Sequence, residues 1–378
     1  MCGNWVAKNK KRKWQKHLAA AVTLGLLCGL YQPNLLAAEY NGKLTSNIAS
    51  DNLVVDGKAS LEGNTVKYNF TEDTTITNSY SWQELAALGI TADNQGYIGT
   101  IQPGGPTGPK ASSGEYHNML FDLNGHDFTV NHIVDTGIGQ LDPARPSAGA
   151  YISSTPLYIA KPVSMTFDNI GKMTLNNQST GYYLAGIYAG YYRGLNTEEL
   201  ELAAGRPTIV INNDSGWENA VKVTAGGGQY SENITGIKIF NCGELLIKGY
   251  ADFAKDTKDA DGKVVSTKYY GLDVNTMGNR VNTSAHFAVG GGRWGQIYGY
   301  GNSLLELNTK KDADGNVTAT NNDVRMVGDI ETKGSYSKDI TTVNLGLTTQ
   351  DSFWQGAAYS GSGNQVAHLF VQNAASWI

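Results

Sequence analysis

The stretch Phe167-Asp168-Asn169-Ile170-Gly171-Lys172-Met173-Thr174-Leu175 decides the fold, together with its echo Ile239-Phe240-Asn241-Cys242-Gly243-Glu244-Leu245-Leu246-Ile247. Both read apolar, any, Asn, any, Gly, charged, apolar, any, apolar. Alternation of this kind sends successive side chains to opposite faces of a strand. Asn and Gly are the residues that tolerate positive φ in a tight turn. Each unit therefore predicts strand, turn, strand. A looser copy is Phe121-Asp122-Leu123-Asn124-Gly125-His126-Asp127-Phe128-Thr129-Val130. The copies start 46 residues (121 to 167) and 72 residues (167 to 239) apart. Those gaps are near two and three multiples of about 23, a period in the range of solenoid repeats.

The same texture extends outward. Leu53-Val54-Val55, Val66 to Phe70, Thr208 to Ile211, Ile237 to Phe240, Ser303 to Leu307 and Thr342 to Leu345 are short strand-like runs between polar clusters. Helical periodicity is confined to Trp82–Leu88, capped by Ser81 with Glu84 three residues on. Gly99 to Ser113, with Pro103, Pro106 and Pro109, reads as a loop. A β-solenoid accounts for stability in a chain with 46 glycines and only 17% charged residues. Its strands stack at about 4.8 Å, so backbone groups pair along the stack, and Asn can bond to Asn in the next coil. Ordinary hairpins in a β-sandwich are the alternative. The expected organisation is an irregular cap over about 39–115, then coils, with hairpin insertions at about 250–270 and 304–327. The insertions hold Asp259-Ala260-Asp261-Gly262 and Asp312-Ala313-Asp314-Gly315. A calcium-loop register would put Thr257 and Lys268, or Lys310 and Asn321, where acidic ligands belong, so these are hairpin tips.

Residues 1–38 have another character. Lys8, Lys10, Lys11, Arg12, Lys13 and Lys16 precede an apolar run from Leu18 to Leu30, and Leu35-Leu36-Ala37-Ala38 follows. This is the pattern of a secretory signal peptide cleaved after Ala38. The run is too short for a spanning helix, which needs about 20 residues. Removal takes six of the 29 basic residues and none of the 34 acidic ones, leaving 39–378 with a net charge of −11. That balance disfavours binding nucleic acid through phosphate attraction. Of three cysteines only Cys242 remains, so the exported chain has no internal disulfide.

The chemistry-bearing patterns are weak. Asn213-Asp214-Ser215-Gly216 resembles a serine-nucleophile turn, but Asn213 stands where a glycine is required and no matching His and Asp precede it. Gly290-Gly291-Gly292-Arg293-Trp294-Gly295 matches a phosphate-loop spelling, yet no helix pattern follows, so it reads as a glycine-rich turn between coils. His126 and His132 have no zinc spacing, and Cys242 reads as a small buried residue at a turn. Asp122, Asp127, Asp168 and Asp214 lie beside turns. No catalytic, cofactor or metal residue is assigned. The tyrosines clustered with glycine carry more signal. Tyr182, Tyr183, Tyr188, Tyr191 and Tyr192 are the candidate ligand-contact aromatics, with Tyr269, Tyr270, Tyr298 and Tyr300 of similar setting. Stacking at strand ends along the solenoid is the competing account of them.

The signal peptide, the near-absence of cysteine and the recurring units quoted above resemble the passenger of a type V autotransporter adhesin. The closing Leu369-Phe370-Val371-Gln372-Asn373-Ala374-Ala375-Ser376-Trp377 is similar to a unit of pertactin-like passengers. The resemblance implies a right-handed parallel β-helix on a Gram-negative cell surface or released from it, non-enzymatic and used for adhesion or aggregation. It implies host-cell proteins or glycans, or like molecules on neighbouring cells, as partners, and an outer-membrane β-barrel translocator that this chain does not contain. A fragment, or a barrel encoded elsewhere, are the two expectations for that departure. A β-helical polysaccharide lyase or glycoside hydrolase is the alternative, and it requires carboxylates converging with Lys or Arg on one face.

Overall fold

The computed structural model describes residues 38–42, 59–91, 96–103, 116–138, 140, 144, 152–181, 183–191, 205–213, 216–226, 233–275, 284–334, 339–361 and 364–378. Contacts divide the chain into Met1–Ala37 and Ala38–Ile378. The expected signal peptide falls outside the described residues but for Ala38. Among the described residues no helix is long and apolar enough to cross a membrane.

Residues 38–378 are all-β, with strands running parallel in two large sheets. The pairings resolve into three ladders, visited in a fixed order. Thr65–Asn69, Thr74–Tyr80 and Gly96–Ile101 contribute one strand to the first, second and third ladder. The same order follows with Asn118–Asp122, Phe128–Val134 and Ile152–Ile159, then Ser164–Asp168, Met173–Asn177 and Tyr183–Gly190. Thr208–Asn212, Val221–Ala225 and Asn233–Phe240 continue it. Later coils follow suit through to Asn364–Val371 and Ser376–Trp377.

Period-2 alternation fills the interior with columns of like side chains. In the first ladder Val66, Met119, Met165, Ile209, Leu245, Phe287, Leu305 and Val343 sit in register. Beside them Tyr68 stacks on Phe121 at 5.1 Å and Phe121 on Phe167 at 4.5 Å. All of these are buried. Polar ladders run outside: Asn124 Nδ2 donates to Asn69 Oδ1 and Asn169 Nδ2 to Asp122 Oδ1, each at 2.9 Å, and Asn212 Nδ2 donates to Asp168 Oδ1. The turn aspartates Asp122 and Asp168 are thereby committed to neighbouring coils, while Asp214 lies outside the described residues.

Four expectations need correction. Phe121 and Phe167 are register partners, so a separation of 46 residues is one coil, not two periods of 23. Coil length also varies, from 18 residues (Ser284 to Asn302) to 56 (Gly96 to Ile152), because loops enter at the corners while the ladders keep register. Secondly, the Ile239 unit is not equivalent to the Phe167 unit. The turn after Phe167 joins the first and second ladders, whereas Asn241 and Cys242, at φ 28 and 61, turn from the third ladder into the first. Thirdly, the region 39–115 carries a complete coil, and the expected loop from Gly99 is strand as far as Ile101. Its helix, Trp82–Ala87, has both bonds of the capping box between Ser81 and Glu84. Lastly, Gly290-Gly291-Gly292 lies within one strand, Ser284–Trp294, which bends from the first ladder into the second. A β-carbon at Gly292 (φ 150) would lie 1.9 Å from the Ala251 carbonyl oxygen, so the bend needs the glycine.

Two antiparallel hairpins leave the ladders: Ala254–Lys258 with Val264–Tyr269, and Thr309–Lys311 with Val317–Ala319. Asp259 Oδ1 accepts from the Asp261 and Lys263 amides, and Asp312 Oδ1 from those of Asp314 and Asn316. These carboxylates close their own turns. Cys242 is buried and not in a disulfide.

Candidate functional site

Of the tyrosines singled out from the sequence, Tyr188 and Tyr191 are buried, at 3% and 1% exposure, which corrects their reading as an exposed patch. Tyr188 packs on Tyr158 at 5.1 Å in a small cluster with Ala160 and Phe240, and the Tyr191 hydroxyl donates to the Gly205 carbonyl at 2.7 Å. Tyr182 and Tyr192, and the Tyr183 side chain, lie outside the described residues.

Register places the first of these in a larger feature. On the outer face of the third ladder, Tyr158, Tyr188, Lys238, Asp273, Tyr298, Glu331 and Tyr359 form one column. Phe240, Asn275, Tyr300 and Lys333 form a second beside it. Alternation explains why: Leu272, Val274 and Ile297 point into the core, so their neighbours point out. The face divides in two. Tyr158, Tyr188 and Phe240 are covered, whereas Asp273, Asn275, Tyr298, Tyr300, Glu331 and Lys333 are partly or well exposed and Tyr359 is 56% exposed.

The Tyr298 and Tyr300 rings lie nearly parallel, 17° apart, with centroids 6.5 Å apart. Lys333 ion-pairs with Glu331 and its Nζ sits 5.3 Å from the Tyr298 ring centre. Asp273 Oδ2 is 3.7 Å from Lys238 Nζ, and its Oδ1 is buried without a hydrogen-bond partner. Burial raises the Asp273 carboxyl above its ordinary range, and the Lys238 charge only partly opposes this. Asn275 Oδ1, two residues on along the same face, is also unpartnered. An aromatic pair beside partly exposed ion pairs is the type of surface that takes a ligand carrying both apolar faces and hydroxyls.

Other charged groups are closed on themselves. On the first ladder His286 lies between two carboxylates, Nδ1 3.0 Å from Glu244 Oε1 and Nε2 2.9 Å from Glu306 Oε2. Burial opposes its charge, but the two carboxylate bonds prevail and raise it to about 9. The bonds from His286 hold Glu244 and Glu306 below their usual range against the opposing effect of burial. Arg293 bridges Asp252 at 2.8 Å and Asp256 at 3.0 Å, tying the first hairpin to the second ladder. Among the described residues no group of three His, Cys, Asp or Glu is placed to hold a metal ion.

A cleft of about 420 Å³ opens beside the second hairpin, lined by Lys248, Tyr250, Gly290, Thr309, Thr320 and Asn322 among others. Behind Tyr250, Trp217 packs at 5.0 Å and Arg325 sits 5.5 Å over the Trp217 ring. Asp323 accepts from Trp217 Nε1 at 3.1 Å and faces Arg325 at 3.6 Å. Nothing in the sequence joins Trp217 to Asp323, 106 residues on. Tyr298 and Tyr300 did show as a glycine-flanked pair, but their partners Asp273 and Lys333 emerge only from register. No family model matches the chain, and no curated protein and no solved structure matches it.

Proposed function

We propose that residues 39–378 form a right-handed parallel β-helix, the passenger of a type V autotransporter adhesin. On this reading residues 1–38 direct export, a β-barrel translocator serves it, and the passenger stands on a Gram-negative cell surface or is released from it. It attaches, without turnover, to host-cell proteins or glycans or to like molecules on neighbouring cells. The observation that carries the reading is the fixed ladder order with in-register apolar columns, which makes a stiff support for the partly exposed tyrosine and charged strip of the third ladder. Right-handed crossovers are the rule between parallel strands, which supports the handedness. The closed ion pairs of Arg293 favour binding over turnover, because both of its aspartates are already engaged.

The test is attachment of the purified chain to host cells and to its own kind, run beside assays for new reducing ends or unsaturated products from polysaccharides. Saturable attachment without cleavage supports the proposal. The Glu244, His286 and Glu306 column is the observation on the side of the second reading, a polysaccharide lyase or glycoside hydrolase, since it aligns two carboxylates with a cationic imidazole on one face. Cleavage that is lost in Glu306→Gln establishes that reading instead.

A further inference from the structure

We infer that the open half of the third-ladder face, from Asp273 to Tyr359, is a binding site for a neutral oligosaccharide. This deepens the adhesion reading and rests on it. Tyr298 and Tyr300 leave one strand on the same face with rings 17° apart and centroids 6.5 Å apart, aromatic surface against which the C–H face of a sugar ring can pack. Hydroxyls at the ring edge both donate and accept hydrogen bonds, and the adjoining coils supply partly exposed charged groups for them. Asp273, whose Oδ2 lies 3.7 Å from Lys238 Nζ, and the Glu331–Lys333 pair are partly exposed beside the rings.

Charge selects among sugars. Asp273 faces Lys238 and Glu331 faces Lys333, so the strip is balanced and offers no free positive field. Residues 39–378 carry a net −11, which repels a polyanionic glycan. A neutral chain fits both facts. Extent follows from the ladder: Asp273, Tyr298, Glu331 and Tyr359 occupy four successive coils, about 14 Å at the spacing of paired strands, room for several rings. On the other side of Asp273, covered Phe240 and Tyr188 bound the site.

The experiment applies the full chain to an immobilised panel of neutral, sialylated and sulfated oligosaccharides. The expected result is binding to neutral members, weakened about tenfold or more by Tyr298→Ala, Tyr300→Ala or Asp273→Ala, with Tyr298→Phe within about threefold of the parent. Circular dichroism checks that each variant is folded. For any that is not, the bound oligosaccharide must protect Tyr298 and Tyr300 of the parent from nitration, read by mass spectrometry. Binding confined to sialylated or sulfated members, binding unchanged in folded variants, or absence of protection overturns the site. So does calcium binding by the parent that displaces the oligosaccharide and is lost in Asp273→Asn. Cell attachment without neutral-sugar binding sinks the site and leaves adhesion standing; sugar binding without cell attachment does the reverse.

Discussion

His132 makes this protein sensitive to acid, and the effect can be isolated. The side chain is fully buried in the second ladder, in register with Asn78 below and Asn177 above. Its Nδ1 is 2.8 Å from Thr100 Oγ1 and its Nε2 2.6 Å from Ser154 Oγ, so two hydroxyls and no carboxylate meet the ring. Burial pushes its pKa down from 6.5 to about 3. Above pH 6.5 the imidazole is neutral in folded and unfolded chains alike and contributes no pH dependence. As pH falls below 6.5 the unfolded chain takes up a proton that the folded chain refuses until about pH 3. Native stability therefore drops with a limiting slope of about 1.4 kcal/mol per pH unit, reaching about 5 kcal/mol in full. His132→Asn continues the asparagine column and removes the titrating group, at a cost of about 1–3 kcal/mol in lost bonds and packing at neutral pH. Urea unfolding of parent and variant from pH 7 to pH 3 measures the difference, in which the carboxylates common to both cancel. The two stability curves should converge as pH falls and cross before about pH 4, since the parent's loss exceeds the cost of the substitution. Parallel curves would mean that folded His132 accepts the proton at its ordinary pKa, and would refute the buried, neutral assignment.

His286 behaves oppositely: with its pKa raised to about 9, the stability it contributes is fully present below pH 6.5 and is lost as pH rises through about 9. His286→Gln should flatten that alkaline limb in the same urea series. Phe121→Ala opens the stack between Tyr68 and Phe167 and should cost about 3–5 kcal/mol in urea unfolding. Gly292→Ala places a methyl group against the Ala251 carbonyl at a positive φ, and should cost about 3 kcal/mol or more, seen as a lower melting temperature.

Strand, turn and hairpin tip were legible because each is decided within a few residues. Phe121 and Phe167 alternate with polar neighbours, Asn124 and Asn169 take φ near 50, and Ser81 with Glu84 caps the single α-helix of the described residues. The glycines of 290–292 misled for the same reason: locally they look like a turn, yet the close approach of Ala251 across the ladder makes them a bend in a continuous strand.

By itself, then, the sequence determined the all-β character, through period-2 alternation and positive-φ turns. Only the tertiary structure decided coil length, the inequivalence of the Ile239 and Phe167 units, and which tyrosines meet solvent. Burial of Tyr188 and partial exposure of Tyr298 follow from what lies above each strand, although both occupy the same outward column. The physical reason is that parallel register is set by side chains packing between strands 18 to 56 residues apart, with loops of free length between them.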